Sequence, residues 1–176
     1  MRDGDAGVAD TIAKMAAMIR ASIATPIVRG AATSIVGGMN PNDFFGQLYA
    51  IREFLQQNVK FLRDPTNREL LHDPEWMLRQ IASQGRVHVD CDDVAILGGA
   101  IAGAVGLRVK LIAVAFLDTA APSRYTPLSH VWASATAPVQ MLDGDGKQIW
   151  IELDTTRPFQ NLPLSAIARW TDTLVL

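Results

Sequence analysis

The sequence predicts an α+β domain, with helices first and an antiparallel sheet afterwards. Three observations carry that reading. Apolar residues recur at helical spacing in the N-terminal part of the chain, at Ile12, Met15, Ile19 and Ile23 and again at Phe44, Leu48, Ile51, Leu55 and Val59. From Val109 the period changes: 109–117 is an almost unbroken apolar run, as in a sheet interior, and 129–135 alternates, with His130, Trp132 and Ser134 on one face. Asp143-Gly144-Asp145-Gly146 then divides two more strand-like segments, 139–142 and 148–154, as a hairpin turn does.

The elements follow in order. The first stripe predicts a helix over 11–28, with Pro26 as its kink or end. Residues 30–42 are small and turn-rich (Gly37, Gly38, Asn40, Pro41) and suit a linker or a packed irregular segment. Residues 1–40 therefore read as an N-terminal helical arm ahead of a domain spanning 41–176. The second stripe is a helix capped by Asn42 or Asp43 and ending near Arg63, because Asp64-Pro65 does not continue a helix. After a polar connection, Pro74 opens a short helix through Glu75, Trp76, Leu78 and Ile81, and Gly85 stops it. Residues 90–106 read as the central buried helix, with Asp90 capping, Asp92 and Asp93 in the first turn and Gly106 at the end. Gly98, Gly99 and Gly103 would each weaken it by about 1 kcal/mol relative to alanine. Close approach of another element to that face is the expected compensation.

Composition sets the outer bounds. A chain of 176 residues with 49% hydrophobic residues holds one domain able to build a core without disulfides. Its one cysteine, Cys91, rules out an intrachain disulfide and a four-cysteine zinc site. Lys and Arg (16) against Asp and Glu (18) leave no phosphate-neutralising excess, and 7% aromatics make no base-stacking platform, so no nucleic-acid partner is expected. Asp3, Asp5 and Asp10 outweigh Arg2 where an export signal would be basic. The longest apolar stretch, 94–107, is shorter than the about 20 residues a membrane span needs. The expectation is a soluble, cytoplasmic chain with no membrane span.

The chemistry concentrates in 85–93, Gly85-Arg86-Val87-His88-Val89-Asp90-Cys91-Asp92-Asp93. It sets the lone cysteine in the first turn of a helix, where unpaired N–H groups and the dipole favour a thiolate. His130 follows on a strand, and Asp154 ends the strand 149–154. A thiol nucleophile, an imidazole to take its proton and a carboxylate to orient the imidazole are what acyl transfer through a thioester requires.

At these residues the chain resembles the transglutaminase-like superfamily, a branch of the papain-like thiol enzymes. The resemblance rests on Asp90-Cys91-Asp92-Asp93, His130-Val131-Trp132 and Trp150-Ile151-Glu152-Leu153-Asp154 followed by Thr155-Thr156, and covers about 43–160. It implies a papain-like or transglutaminase-like core, with Cys91 as nucleophile, His130 as base and Asp154 as orienting acid. It also implies a peptide or protein substrate and no cofactor. The Asp-Cys-Asp-Asp form, preceded by Arg63-Asp64-Pro65, is similar to small members encoded in bacterial and prophage genomes. A catalytically weak or inactive structural protein, in a virion or phage tail, is therefore the alternative, and the virion the alternative location. The arm would then contact a phage partner or a second copy of the chain. Gln84 is the nearest side-chain candidate for an oxyanion donor beside the Cys91 amide, and Trp132 and Trp150 are candidates for a groove wall.

Two features oppose the triad. Folding back at Gly144-Asp145 sets Asp154 opposite Ala135, five residues from His130, or about 16 Å along a strand. A bulge or break near Pro138, or a later effective turn, would have to absorb that offset. Asp90, Asp92 and Asp93 also surround the sulfur with negative charge, which raises a thiol pKa against the helix dipole. Competing constellations are weaker. His88, Cys91 and His130 could hold a metal, but nothing fixes a fourth ligand, and no metal is expected. The Asp-Gly-Asp-Gly segment resembles part of a calcium loop, but a turn explains it. Gly98-Gly99 and Gly103 lie within a helix, unlike a dinucleotide fingerprint.

Overall fold

The computed structural model describes residues 5–65, 70–116, 130–156 and 167–176. Among the described residues, five helices precede and flank a four-stranded sheet: α1 (Asp5–Ser22), α2 (Pro26–Val36), α3 (Phe44–Asn58), β1 (Val59–Phe61), α4 (Pro74–Gln84), β2 (Val87–Val89), α5 (Cys91–Val105), β3 (Arg108–Phe116), β4 (His130–Thr136), β5 (Ile151–Glu152) and β6 (Ile167–Leu174). The sheet runs β5-β4-β3-β6 and is antiparallel throughout. The α+β expectation matches this architecture. No single described helix is long and apolar enough to cross a membrane.

Helix α5 is the centre of the molecule. Asp92 to Ala102 are all buried, because α1, α2, α3 and α4 contact it and β3 and β4 do too. A helix enclosed in this way is apolar all round, as this one is. Ile96, Leu97 and Ile101 are fully buried, each worth about 1.5–3 kcal/mol of transfer free energy. The three helix glycines mark the close approaches. A Cβ on Gly98 would lie 3.0 Å from Leu55 Cδ1, one on Gly99 2.8 Å from Ile19 Cδ1, and one on Gly103 2.8 Å from Ile23 Cγ2. The expected compensation for glycine in this helix is thus packing by α3, α1 and the residue that follows α1. Gly106 ends α5 at φ +96, a conformation that suits glycine.

Several expected boundaries move. The helix expected over 11–28 is two helices bent by 80°, with Thr25 in extended conformation before Pro26 at the first turn of α2. The small-residue segment after it is helical to Val36, since Val28 and Ala32 are buried in the core. Ile12, Met15 and Ile19 of α1 lie in that same core, so the apolar stripe of the N-terminal helix is covered by the chain itself. Residues 1–4 lie outside the described residues.

Helix α3 begins as expected, with the Asp43 carboxylate accepting from the Gly46 N–H at 2.9 Å. It stops at Asn58 rather than near Arg63, because Val59–Phe61 pairs in parallel with Val87–Val89. That small ladder continues into the Leu62 N–H, which donates to the Val89 carbonyl at 2.9 Å. It therefore ties down the backbone just ahead of Cys91. Helix α4 runs as expected from Pro74, capped by Asp73, to Gly85 at φ +76.

The sheet resolves the register question. The hairpin turn falls where the sequence places it: Leu142 bridges Gln148, and the Asp143 carboxylate accepts from the Asp145 and Lys147 amides. Residues 139–142 form no ladder strand, however. Between this turn and β4 the register slips, so that Ser134 pairs with Glu152 and Ala135 with Ile151. Thr136 and Gln148 hold the irregular stretch, with Gln148 Nε2 donating to Thr136 Oγ1 at 2.7 Å and Thr136 Oγ1 donating to the Ile149 carbonyl. Continued two pairs further, this register sets Asp154 opposite Trp132 instead of Ala135. The break expected near Pro138 is present. Ser129 and Leu117, the expected ends of two strands, lie outside the described residues.

Candidate active site

Three elements converge at one end of β4. β2 delivers the chain to Cys91, the first residue of α5, whose first-turn amides lack partners within the helix. Asp90 stands at the N-cap in extended conformation, but its side chain makes no capping bond, in contrast to the expectation. β4 begins at His130, and the backbone amide of the next residue, Val131, acts on the Cys91 sulfur to lower its pKa. Asp154 follows β5, the neighbour of β4 in the sheet, by two residues.

His130 and Asp154 form a buried pair, Nε2 to Oδ2 at 2.7 Å, with both side chains almost fully enclosed. The other carboxylate oxygen, Oδ1, accepts from the Thr156 N–H at 2.8 Å and the Thr156 hydroxyl at 3.0 Å. Asp154 thus both orients the imidazole and closes the strand-ending turn. Burial alone would raise its pKa, but the bonds from His130 and Thr156 outweigh it and hold the carboxyl below its usual range. An ionised carboxylate only accepts, so Nε2 carries the hydrogen. In neutral His130, Nδ1 is then the basic nitrogen.

The sign of that shift gives a pH dependence. The stability contributed by Asp154 is fully present above the unfolded carboxyl pKa, about 3.9, and is lost as pH falls through the lower folded value. Urea midpoints of the wild type and Asp154→Asn should therefore converge as pH is lowered from about 5 to 2. A constant gap would show that the His130 bond does not depend on the carboxylate charge.

Cys91 does not behave as the helix dipole alone would predict. Burial, then the neighbouring Asp92 charge, push its thiol far above the usual range, with Asp90 adding to both and the Val131 amide opposing them. The thiol donates to Asp92 Oδ1 at 3.4 Å. Desolvation and an adjacent carboxylate thus outweigh the end of the dipole, which corrects the thiolate expectation in favour of the acidic-flank one. Replacing Asp92 with asparagine should speed iodoacetamide alkylation of Cys91 at pH 8 by about threefold to tenfold, one pKa unit being tenfold in thiolate. An unchanged rate would assign the shift to burial and Asp90.

The remaining candidates divide. Trp132 is half-buried beside His130, ring centroids 5.8 Å apart, with its indole N–H donating to Ser134 Oγ at 3.1 Å. It stands next to the His130 ring. Trp150 does not: it precedes Ile151, the partner of Ala135, and so lies about 20 Å along the strand from His130. There it packs under Lys110, whose Nζ is 4.6 Å from the ring centroid, and Arg108. Gln84 is also displaced. It is exposed at the end of α4, its amide donates to Gln80 at 2.8 Å, and β2 separates it from Cys91. Among the described residues no three His, Cys, Asp or Glu side chains gather to hold a metal, so His88, Cys91 and His130 make no such group.

One feature near Cys91 carried no motif. Asp93, fully buried, accepts from the His72 backbone N–H at 2.7 Å and pairs with His72 Nδ1 at 2.6 Å. Burial pushes its carboxyl up, against the opposing bonds from His72. The histidine ring stacks on Trp76 with centroids 4.5 Å apart.

Two solved structures share this arrangement of elements. A "putative cysteine protease" of Cytophaga hutchinsonii superposes with a TM-score of 0.50 at 17% identity, over 83% of this chain and 45% of that one. A "putative protease" of Parabacteroides distasonis superposes with a TM-score of 0.50 at 15% identity, over 80% of this chain and 26% of that one. The chain shares the fold of these two structures over most of its length. The chain spans less than half the length of either neighbour. No family model matches the sequence, and no curated protein does.

Proposed function

We propose that the protein is a cysteine-dependent acyltransferase or hydrolase acting on an amide carbonyl of a peptide or isopeptide. The observation that carries this is the buried His130–Asp154 pair, next in the chain to Val131, whose amide lowers the pKa of the Cys91 thiol. The Cys91 sulfur attacks the carbonyl carbon as its proton passes to His130 Nδ1, and Asp154 stabilises the imidazolium. Amides in the first turn of α5 are the donors available to the oxyanion. As the C–N bond breaks, His130 returns the proton to the leaving amine, leaving a thioester on Cys91. Water or a second amine then attacks, giving its proton to His130, and the C–S bond breaks to restore the thiol. Because the resting sulfur is protonated, proton transfer accompanies attack; no standing thiolate–imidazolium pair is required.

The raised thiol favours a second reading as well: a catalytically weak domain that serves as a structural or assembly protein, such as a virion or tail component. One experiment separates them. The protein is incubated with p-nitrophenyl acetate and with short peptide amides, with and without glycinamide as acceptor, and Cys91 is followed by intact mass. A thioester that Cys91→Ser abolishes supports the enzyme, and its partition between water and glycinamide tells hydrolysis from transfer. Failure of both substrates to acylate Cys91 favours the structural reading.

A further inference from the structure

We propose that His72 is a positioning residue that sets the first turn of α5, and with it the place of the Cys91 sulfur. This rests on the reading of Cys91 as the nucleophile. Asp93 lies two residues after Cys91 in that turn, and its side chain is 0% exposed. Both of its oxygens are engaged by one residue: Oδ1 by the His72 backbone N–H at 2.7 Å, and Oδ2 by His72 Nδ1 at 2.6 Å. The two-point bond fixes distance and rotation together, which a single bond would not.

The clamp is braced from outside the helix. The His72 ring lies nearly parallel to Trp76, at 20°, and its side chain is 31% exposed, so it bridges the buried carboxylate and solvent. Asp73, the next residue, caps α4 through the Glu75 amide at 2.7 Å, and Asp64 accepts from the Leu70 N–H. The segment that holds Asp93 is therefore tied at both ends. A buried carboxylate deprived of these donors would leave the enclosed position or draw water to it. Either movement displaces the turn that carries the sulfur.

The test compares wild type, His72→Ala and His72→Asn by three measurements at a temperature where circular dichroism shows each variant folded. Asparagine keeps an N–H donor near the place of Nδ1. The alanine variant should alkylate at Cys91 several-fold faster at pH 8, because burial is what chiefly holds that thiol up. The amides of 91–94 should exchange hydrogen faster, and thioester formation should fall about tenfold. Asparagine should restore all three at least partly. Alkylation and exchange unchanged in His72→Ala would overturn the proposal, as would changes that His72→Asn does not reverse. If the wild type forms no thioester, the enzyme reading fails, yet alkylation and exchange still decide the role of His72.

Discussion

His130→Ala should slow formation of the Cys91 thioester by about 10²–10⁴-fold, the usual contribution of a positioned general base. The effect belongs in the acylation rate at saturating substrate, since the imidazole acts on a proton that moves only in the transition state. Because the thiol is held protonated by burial and by Asp92, little background thiolate is available to mask the loss. Asp154→Asn should follow the same direction: an amide can donate to Nε2, which favours the tautomer with hydrogen on Nδ1 and removes the base. Stopped-flow release of nitrophenolate measures both. Equal rates in wild type and His130→Ala would mean that the sulfur reacts without the imidazole, and the buried pair would then be a structural one.

The second large effect concerns stability. Ile19→Ala should cost about 2–5 kcal/mol in urea unfolding, the range for truncating an enclosed aliphatic side chain. Ile19 is fully buried, and its Cδ1 occupies the space left by the missing side chain of Gly99. An independent arm would show almost no loss, so this substitution tests directly whether residues 1–40 are separable from the domain. Gly99→Ala alone sets about 1 kcal/mol of helix propensity against a contact of 2.8 Å with Ile19 Cδ1. Ile19→Val removes that atom, so the double variant should recover most of what Gly99→Ala loses. Coupling between the two sites of about 0.5–3 kcal/mol is the expected signature of direct contact.

The His130–Asp154 pair shows where sequence reasoning succeeds and where it stops. Residue types and order at Cys91, His130 and Asp154 are legible because each sits at a local signal: a helix start, an alternating strand, a strand-ending turn. Their convergence was not, because counting back from the turn places Asp154 opposite Ala135. The slip that brings it opposite Trp132 depends on Thr136 and Gln148 bonding each other and on Ile149. Those are side-chain contacts between residues with no pattern of their own. Gln84 failed for a related reason: proximity in sequence to Cys91 said nothing of β2, which carries the chain away from α4.

By itself, then, the sequence determined the α+β class, the central helix with its glycine face and its end at Gly106, and the hairpin turn. All of these follow from local propensity and hydrophobic period, which act within a few residues. Only the tertiary structure decided what depends on distant partners. Val59–Phe61 is a strand because Val87–Val89 lies beside it, and the apolar stripe of α1 is core because α5 presents glycines to it. Trp150 belongs with Lys110 rather than with the site, because the sheet register puts it there. The Cys91 thiol is raised because folding removes it from water beside Asp92, and Asp93 is held by His72 from a loop 21 residues away. Burial and long-range pairing have no local sequence signature, since they are set by which surfaces the folded chain brings together.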